Sequence, residues 1–232
     1  MVKAFQLIGH GAEAKIYLLE GFLEKDNTYT FDLNNVIRYN KTIHYDKSKI
    51  ILKYRYSKKY RHPRLDKNLR KYRTRHEYKI LQDLSNIIHV PNVIFEDEDS
   101  GVLVMEYIEG KKLSDSLEKL EYQKIMIYIG KSVARMHEYG IVHGDLTTSN
   151  IILRDDNLFF IDFGLSFYSK RIEDFATDIH LLKEALESKH WRIYKKAFES
   201  FLQGYKEFER YKEVFSRLSH IEKRGRYKKN FQ

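Results

Sequence analysis

The alternation of apolar and polar positions changes character along the chain. Over the first twenty residues, Phe5, Leu7, Ile16, Tyr17 and Leu19 alternate loosely around Gly9-His10-Gly11, which predicts two strands joined by a glycine-bearing turn. Residues 21–47 are polar, rich in Asn, Asp and Tyr, and lack a strong period, so they read as an insertion with room for a weak hairpin. Ile50–Tyr54 predicts a third strand. Leu65, Leu69, Tyr72, His76 and Ile80 recur at spacings of four, three, four and four, which predicts an amphipathic helix. Pro91 ends this helical region, Val102–Ile108 predicts a strand closed by Glu109-Gly110, and Ser114 is placed to cap the helix that follows. Ile125, Ile129, Val133 and Met136 form the next helical stripe, which stops at Gly140.

Ile151–Leu153 and Leu158–Ile161 are short β-rich runs separated by Arg154-Asp155-Asp156-Asn157, a hairpin signature. From Ile172 the pattern is helical to about Ile221, and the last eleven residues are basic and expected to fray. There is no internal repeat. Strands with one helix followed by mostly helices imply an α+β chain of two lobes within one domain. Its expected parts are an N-lobe over 1–105, a hinge over 106–111, a small helical C-lobe over 112–222 and a basic tail over 223–232.

Composition narrows the function. Among 232 residues, 42% are hydrophobic and 14% aromatic, enough to build a core and too many for a disordered chain. The absence of cysteine excludes disulfides and thiolate metal sites and fits a reducing compartment. The ten histidines show no zinc-like spacing. The N-terminal stretch lacks the apolar run of a signal peptide or membrane span, so a soluble intracellular protein without membrane association is expected. The net charge of +9 is clustered, with twelve Lys or Arg from Lys53 to Lys79 and five more from Lys223 to Lys229. Such clusters are the footprint of nucleic-acid contact, against the plainer reading of a solubilising surface.

The hairpin carries the chemistry. Asn150 precedes its first strand and Asp162 follows its second, and antiparallel pairing sets such residues about 5 Å apart. An amide oxygen and a carboxylate at one sheet end form a hard-oxygen site suited to Mg²⁺. Asp145 lies five residues before Asn150, on the loop that leads into the hairpin. His-Gly-Asp or Asp-Phe-Gly alone would be an ordinary turn, but H-G-D-x-x-x-x-N with D-F-G at hairpin distance is a strong joint signal.

The string His143-Gly144-Asp145-Leu146-Thr147-Thr148-Ser149-Asn150, with Asp162-Phe163-Gly164, resembles the catalytic loop and metal triplet of the protein-kinase-like superfamily. The resemblance implies Mg²⁺ and ATP, with Asp145 handling the attacking hydroxyl or water and Asn150 and Asp162 holding the metal. It places Gly9, His10, Gly11, Ala12, Glu13 and Ala14 where a glycine-rich loop covers the phosphates, although the three-glycine pattern is broken. It makes Lys53 the phosphate-contacting lysine and Glu77 its ion-pair partner, and it puts Glu106 and Ile108 in the hinge that meets adenine.

Gly11-Ala12-Glu13-Ala14, Tyr60-Arg61-His62-Pro63, Leu65-Asp66, Arg73-Thr74-Arg75-His76-Glu77, Glu173-Asp174 through Asp178 and Arg224-Gly225-Arg226 resemble the PRPK family, the small atypical kinase of the KEOPS complex. By that resemblance Asp178 braces the catalytic-loop backbone. Only fifteen residues separate Asp162 from Asp178, without Ala-Pro-Glu, which leaves no room for a peptide-docking activation segment. Ser166 and Ser169 are candidate phosphorylation sites.

The implied function is a serine/threonine kinase/ATPase supporting N6-threonylcarbamoylation of adenosine in tRNAs that read ANN codons. The implied partners are a TsaD-family threonylcarbamoyltransferase, a TPRKB-type regulatory subunit, and tRNA through the basic surface and tail. The implied location is the cytoplasm, and also the nucleus in a eukaryote. The rivals are a small-molecule kinase of aminoglycoside or choline type, for which 232 residues leave little room, and a catalytically silent scaffold.

Overall fold

The computed structural model describes residues 2–11, 13–24 and 27–229, with side chains over 3–11, 13–24 and 27–223. The chain is α+β and packs as two compact units. The first takes in the chain up to Gln82 together with Pro91–Ile108; the second takes in Asp83–Val90 and the chain from Glu109 onward.

The first unit is built on a seven-stranded sheet of β1 (Val2–His10), β2 (Lys15–Leu23), β3 (Tyr29–Asp32), β4 (Thr42–Tyr45), β5 (Lys49–Tyr54), β6 (Val93–Asp97) and β7 (Val102–Glu106). Its order is β4-β3-β2-β5-β7-β6, with β1 also paired to β2 from Val2↔Gly21 to His10↔Lys15. The segment read as an insertion therefore extends the sheet. β3, the short α1 (Asn34–Ile37) and β4 contribute Phe31, Leu33 and Ile43 to the core, where they meet Leu19, Ile50, Leu52, Val102 and Val104. Its polar composition hid this because a four-residue strand shows too few apolar positions to display a period.

The helix of this unit, α2 (Pro63–Leu84), opens with proline at its first position, where the missing N–H costs nothing. Its face differs from the expected one. Leu65 and Tyr72 are 54% and 63% exposed, while Asp66, Thr74 and Glu77 are buried. Ile80, Leu81 and Leu84 supply apolar burial only over the last turns.

The second unit contains β8 (Lys111–Lys112), α3 (Leu113–Ser116), α4 (Tyr122–Glu138), β9 (Ile141–Val142), β10 (Ile151–Arg154), β11 (Asn157–Phe160) and β12 (Phe167–Tyr168), then α5 (Ile172–Lys189), α6 (Tyr194–Tyr205) and α7 (Tyr211–Lys229). Ser114 does not cap α3: it lies inside that helix, and its hydroxyl donates to Asp115 Oδ1 at 3.1 Å. α4 ends as its glycine predicts, with Gly140 at φ 76°. It packs on α6, and α5 packs on α7. α7 continues to Lys229, past the expected end near Ile221, because the added residues are mostly Lys, Arg and Glu, which favour helix. Residues 230–232 lie outside the described part of the chain.

Candidate active site

β10 and β11 pair from Ile151↔Phe160 to Arg154↔Asn157, so Asn150 lies opposite Ile161 rather than Asp162. The Ile161 N–H donates to the Asn150 carbonyl at 2.9 Å. Asp162 sits two residues beyond the last paired position, Phe160, exposed, at φ 62°. Aspartate is one of the few residues that accept this left-handed conformation at modest cost. The expected side-by-side placement is thus corrected by one residue: the strand ends at Phe160 and the chain turns at Asp162.

Asn150 binds back to Asp145. Its Nδ2 donates to Asp145 Oδ2 at 2.8 Å and to the Asp145 carbonyl at 2.9 Å, fixing the carboxylate relative to the hairpin. With that nitrogen committed, Oδ1 is the atom Asn150 can offer to a cation. An amide oxygen on Asn150 and a carboxylate on Asp162 are donor types that fit Mg²⁺, which needs few protein ligands when phosphates and water supply the others. Among the described residues, no three His, Asp or Glu side chains gather into a metal site of their own.

His143 ties this loop to the Asp162-Phe163-Gly164 triplet. Its Nε2 donates to the Ile161 carbonyl at 3.2 Å, which leaves Nδ1 to accept the Asp145 N–H at 3.3 Å. Its ring lies 4.7 Å from that of Phe163. At Gly144, φ is 78° and a Cβ would stand 2.3 Å from the Leu165 carbonyl oxygen, so only glycine fits between His143 and Asp145.

Asp178 braces the loop from within α5. Its Oδ2 accepts the His143 N–H and its Oδ1 the Gly144 N–H, both at 2.9 Å. His137 Nε2 approaches Oδ2 at 3.1 Å, and the Tyr205 hydroxyl lies 2.7 Å from His137 Nδ1. Burial alone would raise the Asp178 pKa; the hydrogen bonds it accepts from His137 and from the His143 backbone help to outweigh it and hold the group below the usual range. Burial pushes the Tyr205 phenol up, so it keeps its proton and donates to His137, whose Nε2–H then points at Asp178. The sequence displays no sign of Tyr205, which lies 68 residues from His137.

The first unit carries the other expected residues. Lys53 Nζ donates to Glu77 Oε1 at 2.8 Å, and both groups are buried. Arg55, which no motif marks, donates from its NH2 to the second oxygen, Oε2.

Gly9 lies in β1, and the loop between β1 and β2 closes with Gly11 N–H donating to the Ala14 carbonyl at 3.0 Å. His10 reaches the Tyr56 hydroxyl at 3.0 Å. Glu13 does not point away as a free acid: Arg61 grips it with two nitrogens, at 2.7 and 3.2 Å, and Arg73 pairs with the same carboxylate. The Arg61 hydrogen bond leads the effects that lower its pKa to about 2, against an opposing effect of burial. Ala12 lies outside the described residues.

Glu106 N–H donates to the Asn92 carbonyl at 2.8 Å, and its buried carboxylate meets Lys47 and the Asn92 amide. Ile108 is buried. Neither Ser166 nor Ser169 presents an unengaged hydroxyl. Ser166 is buried and donates to the Phe163 carbonyl, and Ser169 donates to Asp174 Oδ2.

The basic stretch is largely compensated internally. Lys53 and Arg55 serve Glu77, Arg61 and Arg73 serve Glu13, Arg70 serves Asp66, and Lys71 and Arg75 meet Glu98. Lys59, Arg64 and Lys67 are exposed. The tail from Arg224 has no described side chains.

The profile of the RIO domain matches residues 24–192. This chain belongs to the RIO domain family. It is 42% identical over 230 residues to KEOPS complex subunit Bud32 of Pyrococcus abyssi, covering 96% of each chain. It is 40% identical over 164 residues to a probable bifunctional tRNA threonylcarbamoyladenosine biosynthesis protein of Methanothermobacter thermautotrophicus, spanning 70% of this chain and 30% of that protein. Its fold matches that of the Rio2 kinase from Chaetomium thermophilum, solved as an ADP/Mg²⁺-phosphoaspartate complex. The TM-score is 0.60 at 15% identity, covering 97% of this chain and 72% of the other. The RIO assignment makes this an atypical kinase-like protein, with the segment after Gly164 reduced to residues 165–171 before α5. No helix among the described residues is long and apolar enough to cross a membrane.

Proposed function

We propose that this protein is a Mg²⁺- and ATP-dependent serine/threonine kinase/ATPase working as the Bud32-type subunit of a KEOPS assembly, in support of threonylcarbamoyladenosine formation in tRNA. The observation that carries the reading is the Asp145–Asn150 lock beside Asp162, held by His143 and Asp178. Asp145 is the catalytic carboxylate: with Oδ2 engaged by Asn150, it orients an attacking hydroxyl or water. Asn150 and Asp162 hold Mg²⁺, which neutralises phosphate charge when bound. Lys53, oriented by Glu77, contacts the phosphates, the backbone from Gly9 to Ala14 covers them, and Glu106 and Ile108 offer backbone groups to adenine.

The names of the relatives support the tRNA-modification setting. A threonylcarbamoyltransferase of the TsaD family and a TPRKB-type subunit are the partners, and the setting is cytoplasmic, or nuclear as well in a eukaryote. For tRNA, the compensation of the basic stretch leaves Lys59, Arg64 and Lys67, with the tail, as the contacts. The short segment after Gly164 offers no peptide platform, so the isolated chain is a slow kinase toward generic substrates.

The test is ATP turnover by the purified protein. Asp145→Ala should lower kcat by roughly two orders of magnitude or more with nucleotide affinity nearly unchanged, and Asp162→Ala should abolish Mg²⁺-dependent turnover with little change in fold. Turnover should rise when the transferase partner and tRNA are added. Full activity in either variant would overturn the assignment, and phosphorylation of exogenous peptides at about 1–100 per second would overturn the partner-dependent reading.

A further inference from the structure

The buried side of α2 is lined by polar groups, and Arg55 joins them. It follows the last residue of β5, its N–H donates to the Gly101 carbonyl at 2.8 Å, and its carbonyl accepts from Arg70 NH1 at 3.3 Å. Its own guanidinium is turned inward. NH2 meets Glu77 Oε2 and NH1 donates to Thr74 Oγ1 at 3.3 Å, while the side chain is only 3% exposed. Thr74 is wholly buried and donates to the Arg70 carbonyl at 2.9 Å, and Arg70 Nε binds Asp66 Oδ2 at 3.0 Å. A run of hydrogen bonds thus fastens α2 to the end of β5 along three turns, where an ordinary amphipathic helix would use leucine.

We propose that Arg55 is a positioning residue for phosphoryl transfer, fixing the Lys53–Glu77 pair by occupying the second oxygen of Glu77; this rests on the reading of function above. Glu77 is clamped through both oxygens, Oε1 by Lys53 and Oε2 by Arg55. Rotating or withdrawing α2 would strip a buried guanidinium of its carboxylate, which is costly in a site away from water. The lysine–glutamate pair is therefore permanent, with no need for a segment that swings α2 inward. The planar fork of arginine is what allows Glu77 and Thr74 to be held together, and a lysine would supply the charge without the second bond. Arg55 touches no reacting atom and acts through Glu77.

A double-mutant cycle with R55M and E77Q tests this. R55M should lower kcat for Mg²⁺-ATP turnover at least tenfold with KM for ATP changed less than threefold, and in the E77Q background the same substitution should change kcat less than twofold. R55K, which retains the buried charge and is the milder change for folding, should show the same pattern at smaller amplitude. Hydrogen exchange without nucleotide gives a second readout: amides from Thr74 to Leu81 should exchange at least tenfold faster in R55M, while the β10–β11 amides hold. An equal fall in kcat in both backgrounds would reduce Arg55 to general stability, and unchanged kcat or unchanged protection of α2 would overturn the inference outright. Absence of turnover in the wild-type protein would sink the functional reading, and the exchange measurement would still decide the role of Arg55.

Discussion

Glu77 in the first unit and Asp178 in the second are both almost wholly removed from water, yet their partners differ in kind. Glu77 is met by the side chains of Lys53 and Arg55, cations on long stems whose positions depend on charge balance. Asp178 is met by the N–H groups of His143 and Gly144 and by an imidazole fixed by Tyr205. Backbone donors cannot rotate away, so the second carboxylate follows the path of the chain, whereas the first follows the electrostatics of its neighbours. Charge-removing substitutions should therefore perturb the first site, and shape changes the second.

The largest effect should come from Asp178→Ala. It leaves two buried backbone N–H groups without an acceptor and should cost roughly 3–5 kcal/mol in urea unfolding. A loss below about 1 kcal/mol would show that the clamp does not anchor the loop, and the contrast with Glu77 would collapse. Gly144→Ala comes next. Its methyl group would press on the Leu165 carbonyl at a positive φ, costing about 1–3 kcal/mol through strain while leaving every charge in place. A Gly144→Ala protein as stable as the parent would mean that the loop follows charge after all.

Tyr205→Phe should be milder, about 1 kcal/mol, because one buried hydrogen bond is lost. Nitrogen NMR of His137 should show the Nε2–H tautomer in the parent and a mixture in the variant; an unchanged imidazole would remove Tyr205 from the network. The smallest effect concerns Glu13→Gln in the first unit. The Glu13 pKa lies near 2, below its ordinary 4.5, so its contribution is present above about pH 4.5 and is lost as the pH falls toward 2. The melting temperatures of parent and variant should differ at pH 7 and converge on acidification. A gap that persists unchanged at pH 3 would mean that the arginines do not act on that carboxylate.

Much of the fold could be read from the sequence because its signals are local. The β10–β11 hairpin, the Gly140 stop and the catalytic-loop string each depend on neighbours within a dozen residues. The face of α2 could not be read this way. Periodicity locates apolar stripes, and this helix buries Asp66, Thr74 and Glu77 while leaving Leu65 and Tyr72 in water. The signal that could have found it is the density of Arg and acidic residues at matching spacings. The offset at Asp162 was hidden for another reason, since strand composition continues through Ile161 while the ladder stops at Phe160. Phe31, Leu33 and Ile43 were masked by the polar residues around them.

The crossing of α4 and α6 reaches further than its place in the interior suggests. A Cβ on Gly130 would fall 2.2 Å from the Phe201 carbonyl oxygen, and one on Gly204 would fall 2.0 Å from the Ile127 carbonyl oxygen. Both obstacles are main chain, so no compensating change of a neighbouring side chain could make space. These two positions are closed to the other nineteen amino acids unless the helices part, and Tyr205 is the next residue along α6. Parting them would lengthen the bond from its hydroxyl to His137, so a mutation that adds one carbon atom at Gly204, buried between two helices, would be felt as a loosened grip on the loop that carries Asp145.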